Sequence, residues 1–187
     1  VDNGKSFLWS SDADGWMHIY KISHDGKKKE LITTVDYDAY FQAYNDKTKT
    51  IYFEASPTDA TQRYLYETNL NSKITKRVTP KEFSGTNKYE FSTDAMYAKH
   101  TNSNINRNYN SRLVALPNHK KILPKEADVF TVPKRDFSLE KFKITTVDGI
   151  EMDGIMAKPL DFDASKNYPV FFFVYGEPMM SVANDTP

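Results

Sequence analysis

Apolar and polar residues alternate over short segments in the first two-thirds of the chain. Residues 51–55 and 64–67 show the alternation most clearly. Successive side chains of a strand point to opposite faces of a sheet, so this period predicts pleated strands. The pattern therefore predicts a mainly β protein.

The predicted strands fall into three units with the same layout: a strand, a polar stretch, a second strand, a tight turn and a third strand. Phe7, Ile51 and Met96 occupy equivalent places and lie 44 and 45 residues apart. Short strands at 40–44 and 88–92 precede the second and third units. The other strands are predicted at 5–11, 18–22, 30–33, 50–55, 64–68, 75–79, 95–99, 112–116 and 121–123, with a polar stretch at 100–110.

Four strands in a repeat of about 45 residues indicate the blades of a β-propeller. An antiparallel sandwich also has short strands and polar turns and stays open as an alternative, although the fixed period favours the propeller. Residues 1–123 would hold about three blades, fewer than a closed propeller needs. Because the chain starts without Met and stops in the middle of a pattern, we expect it to be an internal fragment of a longer protein, with further blades upstream.

The last third of the chain has a different pattern. Prolines interrupt residues 124–138, which predicts a connector, because proline cannot donate a hydrogen bond to a strand ladder. Asp148-Gly149 is a strong turn signal inside the alternating segment 140–158 and predicts a hairpin. The run 169–174 is apolar on both faces, as in a strand buried within a parallel or mixed sheet.

Composition removes several classes of function. The chain has 187 residues with 25 basic and 25 acidic side chains, and this balance gives no electrostatic reason to expect nucleic acid or an anionic membrane as a partner. It has no cysteine, and therefore no disulfide, thiolate metal site or cysteine nucleophile. The longest apolar run, 170–175, is far shorter than the roughly 20 residues that span a bilayer.

Several motifs occur in a characteristic order. They are Phe7-Leu8-Trp9-Ser10, Asp14-Gly15-Trp16, Arg63-Tyr64-Leu65-Tyr66, Asp148-Gly149, Met156-Ala157-Lys158-Pro159, Tyr168-Pro169-Val170 and Val174-Tyr175-Gly176. Their order and spacing resemble the dipeptidyl peptidase IV branch of the prolyl oligopeptidase family over nearly the whole chain.

This resemblance implies the last three or so blades of an eight-bladed propeller in residues 1–123, followed by the first strands of an α/β-hydrolase domain in 139–187. It implies a serine exopeptidase that releases di- or tripeptides from peptide N-termini after Pro or Ala by Ser-His-Asp acyl transfer, without a cofactor or metal. Family habit further implies a peptide substrate, a homodimer and a periplasmic or cell-surface location.

Two residues are candidates for the active site. By resemblance, the Tyr175 hydroxyl would donate to the oxyanion hole, where one fixed donor lowers the barrier by roughly 3 kcal/mol. Glu177 would contribute a charge at the rim of the site, although a solvated turn carboxylate is the simpler interpretation. Tyr-Gly-Glu-Pro at 175–178 is more similar to prolyl tripeptidyl peptidases than to the rest of the branch, so the number of residues released stays open.

The catalytic triad is absent from this chain by sequence. No Gly-x-Ser-x-Gly motif occurs, so the chain alone is expected to be inactive, and Ser181 is interpreted as a loop residue. The remaining side chains with functional potential are predicted to have structural roles. The histidines are interpreted as structural or solvated: His18, His24, His100 and His119. Trp9 and Trp16 are predicted in the core between blades, and Glu54, Glu67 and Glu90 as strand-surface carboxylates.

A second hypothesis belongs to a different class of function. The same blades could present a peptide- or glycan-binding face in a non-catalytic module. A nucleophile elbow in the sequence that follows these residues would favour the peptidase, and its absence would favour the binding module.

Overall fold

The computed structural model describes residues 1–122, 135–176 and 181–187, and its regular structure is almost entirely β. A short 3-10 helix, Asp2–Gly4, precedes the first strand. The strands are β1 Ser6–Ser11, β2 His18–Ser23, β3 Lys29–Leu31, β4 Tyr40–Asn45, β5 Thr50–Ala55, β6 Tyr64–Asn69, β7 Thr75–Arg77, β8 Thr86–Phe91, β9 Tyr97–Asn104, β10 Arg107–Ala115, β11 Lys120–Lys121, β12 Phe137–Thr145 and β13 Glu151–Pro159.

The first eleven strands form three consecutive antiparallel sheets in which neighbours in sequence are neighbours in space. The first sheet has the order β1-β2-β3, the second β4-β5-β6-β7 and the third β8-β9-β10-β11. Each strand predicted for the repeats is present in whole or in part, with its ends shifted by a few residues. This up-and-down arrangement in successive sheets is the one that propeller blades have.

The second sheet lies between the other two. Ile51 and Phe53 of β5 belong to a buried cluster that also contains Ile19 and Ile32 from the first sheet region. Tyr52, on the opposite face of the same strand, joins a separate cluster that includes Ala95, just before β9. Because β5 is buried on both faces, its apolar run 51–53 does not follow a simple inside–outside alternation.

The second and third sheets also meet edge to edge at one point. Arg63 pairs with Thr86 in an isolated parallel bridge, and the backbone N–H of Asn87 donates to the Arg63 carbonyl at 3.1 Å. Gly85, directly before this bridge, has a φ of +97°, and a Cβ there would overlap the Ser103 carbonyl oxygen. The close approach of the backbone before β8 to the end of β9, within the third sheet, requires glycine at this position.

The polar stretch 100–110 lies within the third sheet. β9 continues to Asn104 and β10 starts at Arg107, so most of this polar stretch is paired strand. The polar side chains are satisfied within the sheet: the Thr101 and Ser111 hydroxyls are 2.9 Å apart, and Asn102 Nδ2 donates to the Ser84 carbonyl at 3.0 Å. Such cross-strand hydrogen bonds stabilise strands whose residues lack an apolar pattern.

The predicted hairpin after the connector is present. β12 and β13 pair from Phe137↔Pro159 to Thr145↔Glu151, and Gly149 in the turn has a φ of +85°. β12 starts two residues before position 139. Most of the connector predicted at 124–138 lies outside the described residues.

The buried strand predicted at 169–174 is not confirmed by this structure. These residues form no strand, and Phe171 at the centre of the run is 89% exposed. The backbone N–H and C=O groups of a strand need hydrogen-bond partners on a neighbouring strand. None of the strands in the described ranges pairs with residues 169–174. The apolar run is therefore left at the surface.

The two tryptophans were also wrongly predicted to be core. Trp9 is 57% exposed and Trp16 44% exposed. Trp9 lies on β1, on the face of the first sheet away from the cluster around Ile19, where its ring meets only the edge of Phe7 among the described aromatic rings. Tryptophan buries well only where a second layer covers it, and the described residues place none there.

Candidate functional site

Tyr175 ends the exposed apolar run and is 43% exposed. The next residue, Gly176, has open space around the position of a Cβ. Glu177 lies outside the described residues, as does Pro178. The structure therefore describes one of the two predicted site residues, and its side chain is partly exposed.

Asp185 is a buried carboxylate that the sequence reading missed. It is only 4% exposed although it lies in a segment, 181–187, that has no helix or strand. Its backbone N–H donates to the Thr61 carbonyl at 2.7 Å, Ile105 N–H donates to Oδ1 at 2.9 Å, and Gln62 Nε2 donates to Oδ2 at 2.9 Å. These hydrogen bonds compensate for the loss of hydration on burial.

Lys141 on β12 lies between two carboxylates. Its ammonium nitrogen is 3.4 Å from Oδ2 of Asp185 and 3.3 Å from Oδ2 of Asp59. Burial by itself would lower the pKa of Lys141, but the negative charges of Asp185 and Asp59 outweigh it and raise the pKa above its ordinary value. The lysine is therefore charged at neutral pH.

Asp59 itself is held by the loop that carries it. Its Oδ1 accepts hydrogen bonds from the Thr61 N–H at 2.9 Å and the Thr61 hydroxyl at 2.6 Å. Burial opposes ionisation of Asp59, but these bonds and Lys141 together lower its pKa. Lys141 consequently connects the β5–β6 loop to the C-terminal segment by charge.

Arg63 joins the same segment to the second sheet. Its guanidinium donates to Asn184 Oδ1 at 3.3 Å and lies 3.6 Å from a Glu54 carboxylate oxygen. Burial raises the pKa of Glu54, and the charge of Arg63 offsets part of that rise. Glu54 is thus a half-buried, paired carboxylate, and its interpretation as an ordinary surface group is wrong because Arg63 lies across the sheet from it.

Two histidines that are distant in sequence meet in the third sheet. His119 Nε2 lies 3.1 Å from His100 Nδ1, and both side chains are buried. A cavity of about 260 Å³, lined partly by Phe83 and Arg112, lies next to His119. The structural interpretation of this pair fits its burial, and the described residues contain no cluster of three histidine or acidic side chains that could hold a metal ion.

The other two histidines differ in their surroundings. His18 is buried, with Nδ1 2.9 Å from Asp14 and Nε2 2.9 Å from the Val35 carbonyl, whereas His24 is exposed in a turn. Among the described residues, neither histidine shares a hydrogen bond with Tyr175 or Asp185.

No helix in the described part of the chain is long and apolar enough to cross a membrane.

Comparison with known proteins places this architecture in a family. The model of the dipeptidyl peptidase IV (DPP IV) N-terminal region matches residues 1–109, more than half of the chain. The chain therefore belongs to the dipeptidyl peptidase IV family.

Its relatives in sequence carry related names. Dipeptidyl peptidase 4 of Arthroderma otae is 26% identical over 183 residues, which cover 94% of this chain and 24% of the fungal protein. The probable dipeptidyl-aminopeptidase B of Colletotrichum graminicola is 24% identical, over 94% of this chain and 19% of that protein. The chain thus spans about a quarter of the length of the curated relatives that it matches.

Solved structures share its fold. Porphyromonas gingivalis dipeptidyl peptidase 4 superimposes with a TM-score of 0.84 at 22% identity, over 98% of this chain and 26% of that one. A putative dipeptidyl aminopeptidase IV from Bacteroides ovatus gives 0.76 at 20% identity, over 97% and 29% of the two chains. The superposition includes nearly all of this chain, so the similarity in fold extends past residue 109.

Proposed function

We propose that this chain is part of a serine exopeptidase that releases di- or tripeptides from peptide N-termini after Pro or Ala. The single observation that carries the proposal is the match of the dipeptidyl peptidase IV N-terminal region to residues 1–109. The relatives named as dipeptidyl peptidases support the reaction class. The blades would restrict access to the site, and the chemistry would be Ser-His-Asp acyl transfer.

Tyr175 would act as an oxyanion donor. Negative charge develops on the scissile carbonyl oxygen in the transition state, and a fixed hydroxyl aimed at that oxygen stabilises the charge. The 43% exposure of Tyr175 supports this role, because a donor must be open to the substrate. The nucleophile, its histidine and its aspartate would come from residues beyond those in this chain.

The exposed run 169–174 would be a strand of an α/β-hydrolase sheet. Val170, Phe171 and Phe172 are each at least 70% exposed, and contiguous apolar surface of this kind normally has a covering partner. Further strands in the longer protein would pair with both edges of this run. Tyr175 would then lie at the carboxyl end of a buried strand, where open α/β sheets bind ligands.

The test is an assay of the longer protein that contains this chain, with Xaa-Pro and Xaa-Xaa-Pro chromogenic substrates and a serine-directed probe. The proposal expects cleavage of one substrate class and covalent labelling, while the 187-residue chain alone shows neither. The substrate that is cleaved decides between dipeptide and tripeptide release. Absence of both cleavage and labelling in the longer protein would refute the peptidase and favour a non-catalytic peptide- or glycan-binding propeller.

Two properties of the intact protein belong to the same proposal. We propose that it forms a homodimer and acts in the periplasm or at the cell surface, as the resemblance to the family implies. Light scattering on the longer protein tests the first, with a mass of one protomer as the contrary result. Cell fractionation tests the second, and recovery with the cytoplasmic marker would contradict it.

A further inference from the structure

Polar contacts join the described residues after the connector to the blades. Lys141 on β12 lies 3.3 Å from the Asp59 carboxylate, and Asn184 and Asp185 contact the loop between β5 and β6. Neither apolar cluster of the blades has a member from 135–187. The two clusters therefore do not hold this part of the chain, and polar groups do.

Three hydrogen-bond donors from separate elements converge on one buried position. The Ile105 N–H, in the turn between β9 and β10, lies 2.9 Å from Asp185 Oδ1. Gln62 Nε2, in the loop before β6, is 2.9 Å from Oδ2, and the Lys141 ammonium on β12 is 3.4 Å from the same oxygen. A carboxylate oxygen only accepts, so the Gln62 amide presents Nε2 here and leaves Oε1 to the Tyr64 hydroxyl.

This set of donors selects a carboxylate over a neutral amide. Donors lie at both oxygens of Asp185, which is only 4% exposed. An asparagine would turn its NH2 group toward one of these donors, whichever way its amide points. A buried donor would then have no acceptor, and the charge of the Lys141 ammonium would lose its partner at this position.

The blades also bind the backbone that carries the carboxylate. The Asp185 N–H donates to the Thr61 carbonyl at 2.7 Å, and Asn184 Oδ1 accepts a hydrogen bond from Arg63 at 3.3 Å. Thr61 and Gln62 are adjacent, so two consecutive residues of one loop bind the N–H and the carboxylate of a single residue. Aspartate has the short side chain that this arrangement needs, whereas the additional methylene of glutamate would displace the carboxylate from its donors.

We propose that Ile105, Gln62 and Lys141 form a binding site for the carboxylate of an aspartate within a peptide segment. Asp185 occupies this carboxylate site and thereby holds residues 181–187 on the blades. Because Lys141 belongs to the hairpin, the occupied site joins the blades, the hairpin and the segment. The inference goes beyond the proposed peptidase and holds whether or not the longer protein cleaves peptides.

Chemical rescue tests the class of ligand. Asp185→Ala removes the carboxylate and leaves the three donors, since all of them lie outside residues 181–187. Formate is a carboxylate without a chain and should bind in its place. At a formate concentration about ten times its Kd, the melting temperature of the variant should rise by roughly 3–6 °C, and sodium chloride at the same ionic strength should give no such rise.

Asp163→Ala is the matched control for the rescue. Asp163 also lies after the hairpin, but its partners Ser165 and Lys166 are within three residues of it in the sequence. Formate should stabilise neither this variant nor the wild type beyond the effect of chloride. Equal effects of formate on all three proteins, or no effect on Asp185→Ala, would overturn the carboxylate site.

A distance measurement tests the attachment of the segment. The chain contains no cysteine, so Val182→Cys and Lys88→Cys provide exposed sites for two spin labels, one in the segment and one on β8. The distance distribution between the labels should be narrow, and it should widen in Asp185→Ala. Formate should not narrow it again, because a free carboxylate fills the site without holding the segment.

Lysine variants keep the attachment testable if Asp185→Ala does not fold. Lys141→Met removes only the charge of the site and should widen the distribution less than Asp185→Ala does. Lys143→Met is its control: Lys143 is two residues further along β12 and pairs with Glu151 instead, so the distribution should stay narrow. A narrow distribution in Lys141→Met, or equal widening in the two lysine variants, would overturn the attachment.

Discussion

The imidazoles of His100 and His119 form a directed hydrogen bond in which His119 is the donor. Asn87 Nδ2 donates to the carbonyls of Arg63, Phe83 and Gly85, so its Oδ1 faces His100 Nε2 at 2.8 Å. His100 Nε2 must therefore carry the proton, which makes His100 Nδ1 an acceptor. Both rings are neutral in the folded protein.

This pair predicts a loss of stability in mild acid. Burial lowers the pKa of His119 to about 4 and that of His100 to about 2. The unfolded chain binds a proton at each histidine near pH 6.5 while the folded chain does not, so the free energy of unfolding falls as pH decreases below about 6.5. Each histidine contributes a slope of about 1.4 kcal/mol per pH unit until its folded pKa is reached.

Urea unfolding between pH 7.5 and 4.5 checks this expectation. His119→Gln removes one titrating group, so the difference in unfolding free energy between wild type and variant should narrow as pH falls from 6.5 to 4.5. His24→Gln is the control, since His24 is exposed, and its curve should run parallel to wild type. A constant difference between wild type and His119→Gln would show that His119 is not kept neutral by the fold.

Gly85→Ala should destabilise the third sheet where the backbone before β8 approaches the end of β9. The substitution forces a positive φ on a residue with a side chain and places Cβ within 2.6 Å of the Asn104 Cβ as well as against the Ser103 carbonyl. We expect a loss of at least about 2 kcal/mol in the free energy of unfolding. Gly26→Ala has a φ of +74° but open space, and should lose only about 1 kcal/mol. Equal losses in the two variants would contradict the close approach at Gly85.

Replacement of two phenylalanines by alanine should differ strongly in its effect on stability. Phe53 is fully buried and its ring stacks on Tyr66 with centroids 5.9 Å apart, so Phe53→Ala should cost about 3–5 kcal/mol. Phe171→Ala in the same 187-residue chain should change stability by less than about 0.5 kcal/mol, because Phe171 is exposed. Thermal unfolding of both variants tests this contrast, and a large loss in Phe171→Ala would place a covering partner on the run 169–174.

Tyr175→Phe tests the proposed oxyanion donor in the longer protein. Loss of one fixed donor should lower kcat by roughly a hundredfold or more and leave KM nearly unchanged, since the interaction forms only in the transition state. Tyr168→Phe is a suitable control: its hydroxyl accepts a hydrogen bond from the Asp163 N–H at 3.0 Å within the same loop. If Tyr175→Phe retains full kcat, Tyr175 has no role in the chemical step.

Local sequence signals predicted the hairpin and the blades, and they failed where distant residues decide the structure. Asp148-Gly149 specifies its turn through neighbours in sequence, and the turn formed as predicted. Asp185 is buried by contacts with Gln62 and Ile105, which are 123 and 80 residues away in the sequence. The short polar segment around Asp185 has no sequence pattern that indicates burial. The prediction that the two tryptophans lie in the core failed for a related reason. Composition does not reveal which face of a sheet is covered by a second layer.

Because β5 lies between two apolar clusters, different parts of the chain should differ in the free energy that local unfolding requires. Unfolding of either flanking sheet strips one face of β5, so the three sheets should melt together and the amides of β5 should exchange with solvent only in the fully unfolded state. The hairpin β12–β13 contributes no residue to either cluster and is connected to the blades through the contacts of Lys141 with Asp59 and Asp185. Its amides should exchange through a partial opening that leaves the blades intact, and the part of the chain that bears Tyr175 would be the first to move.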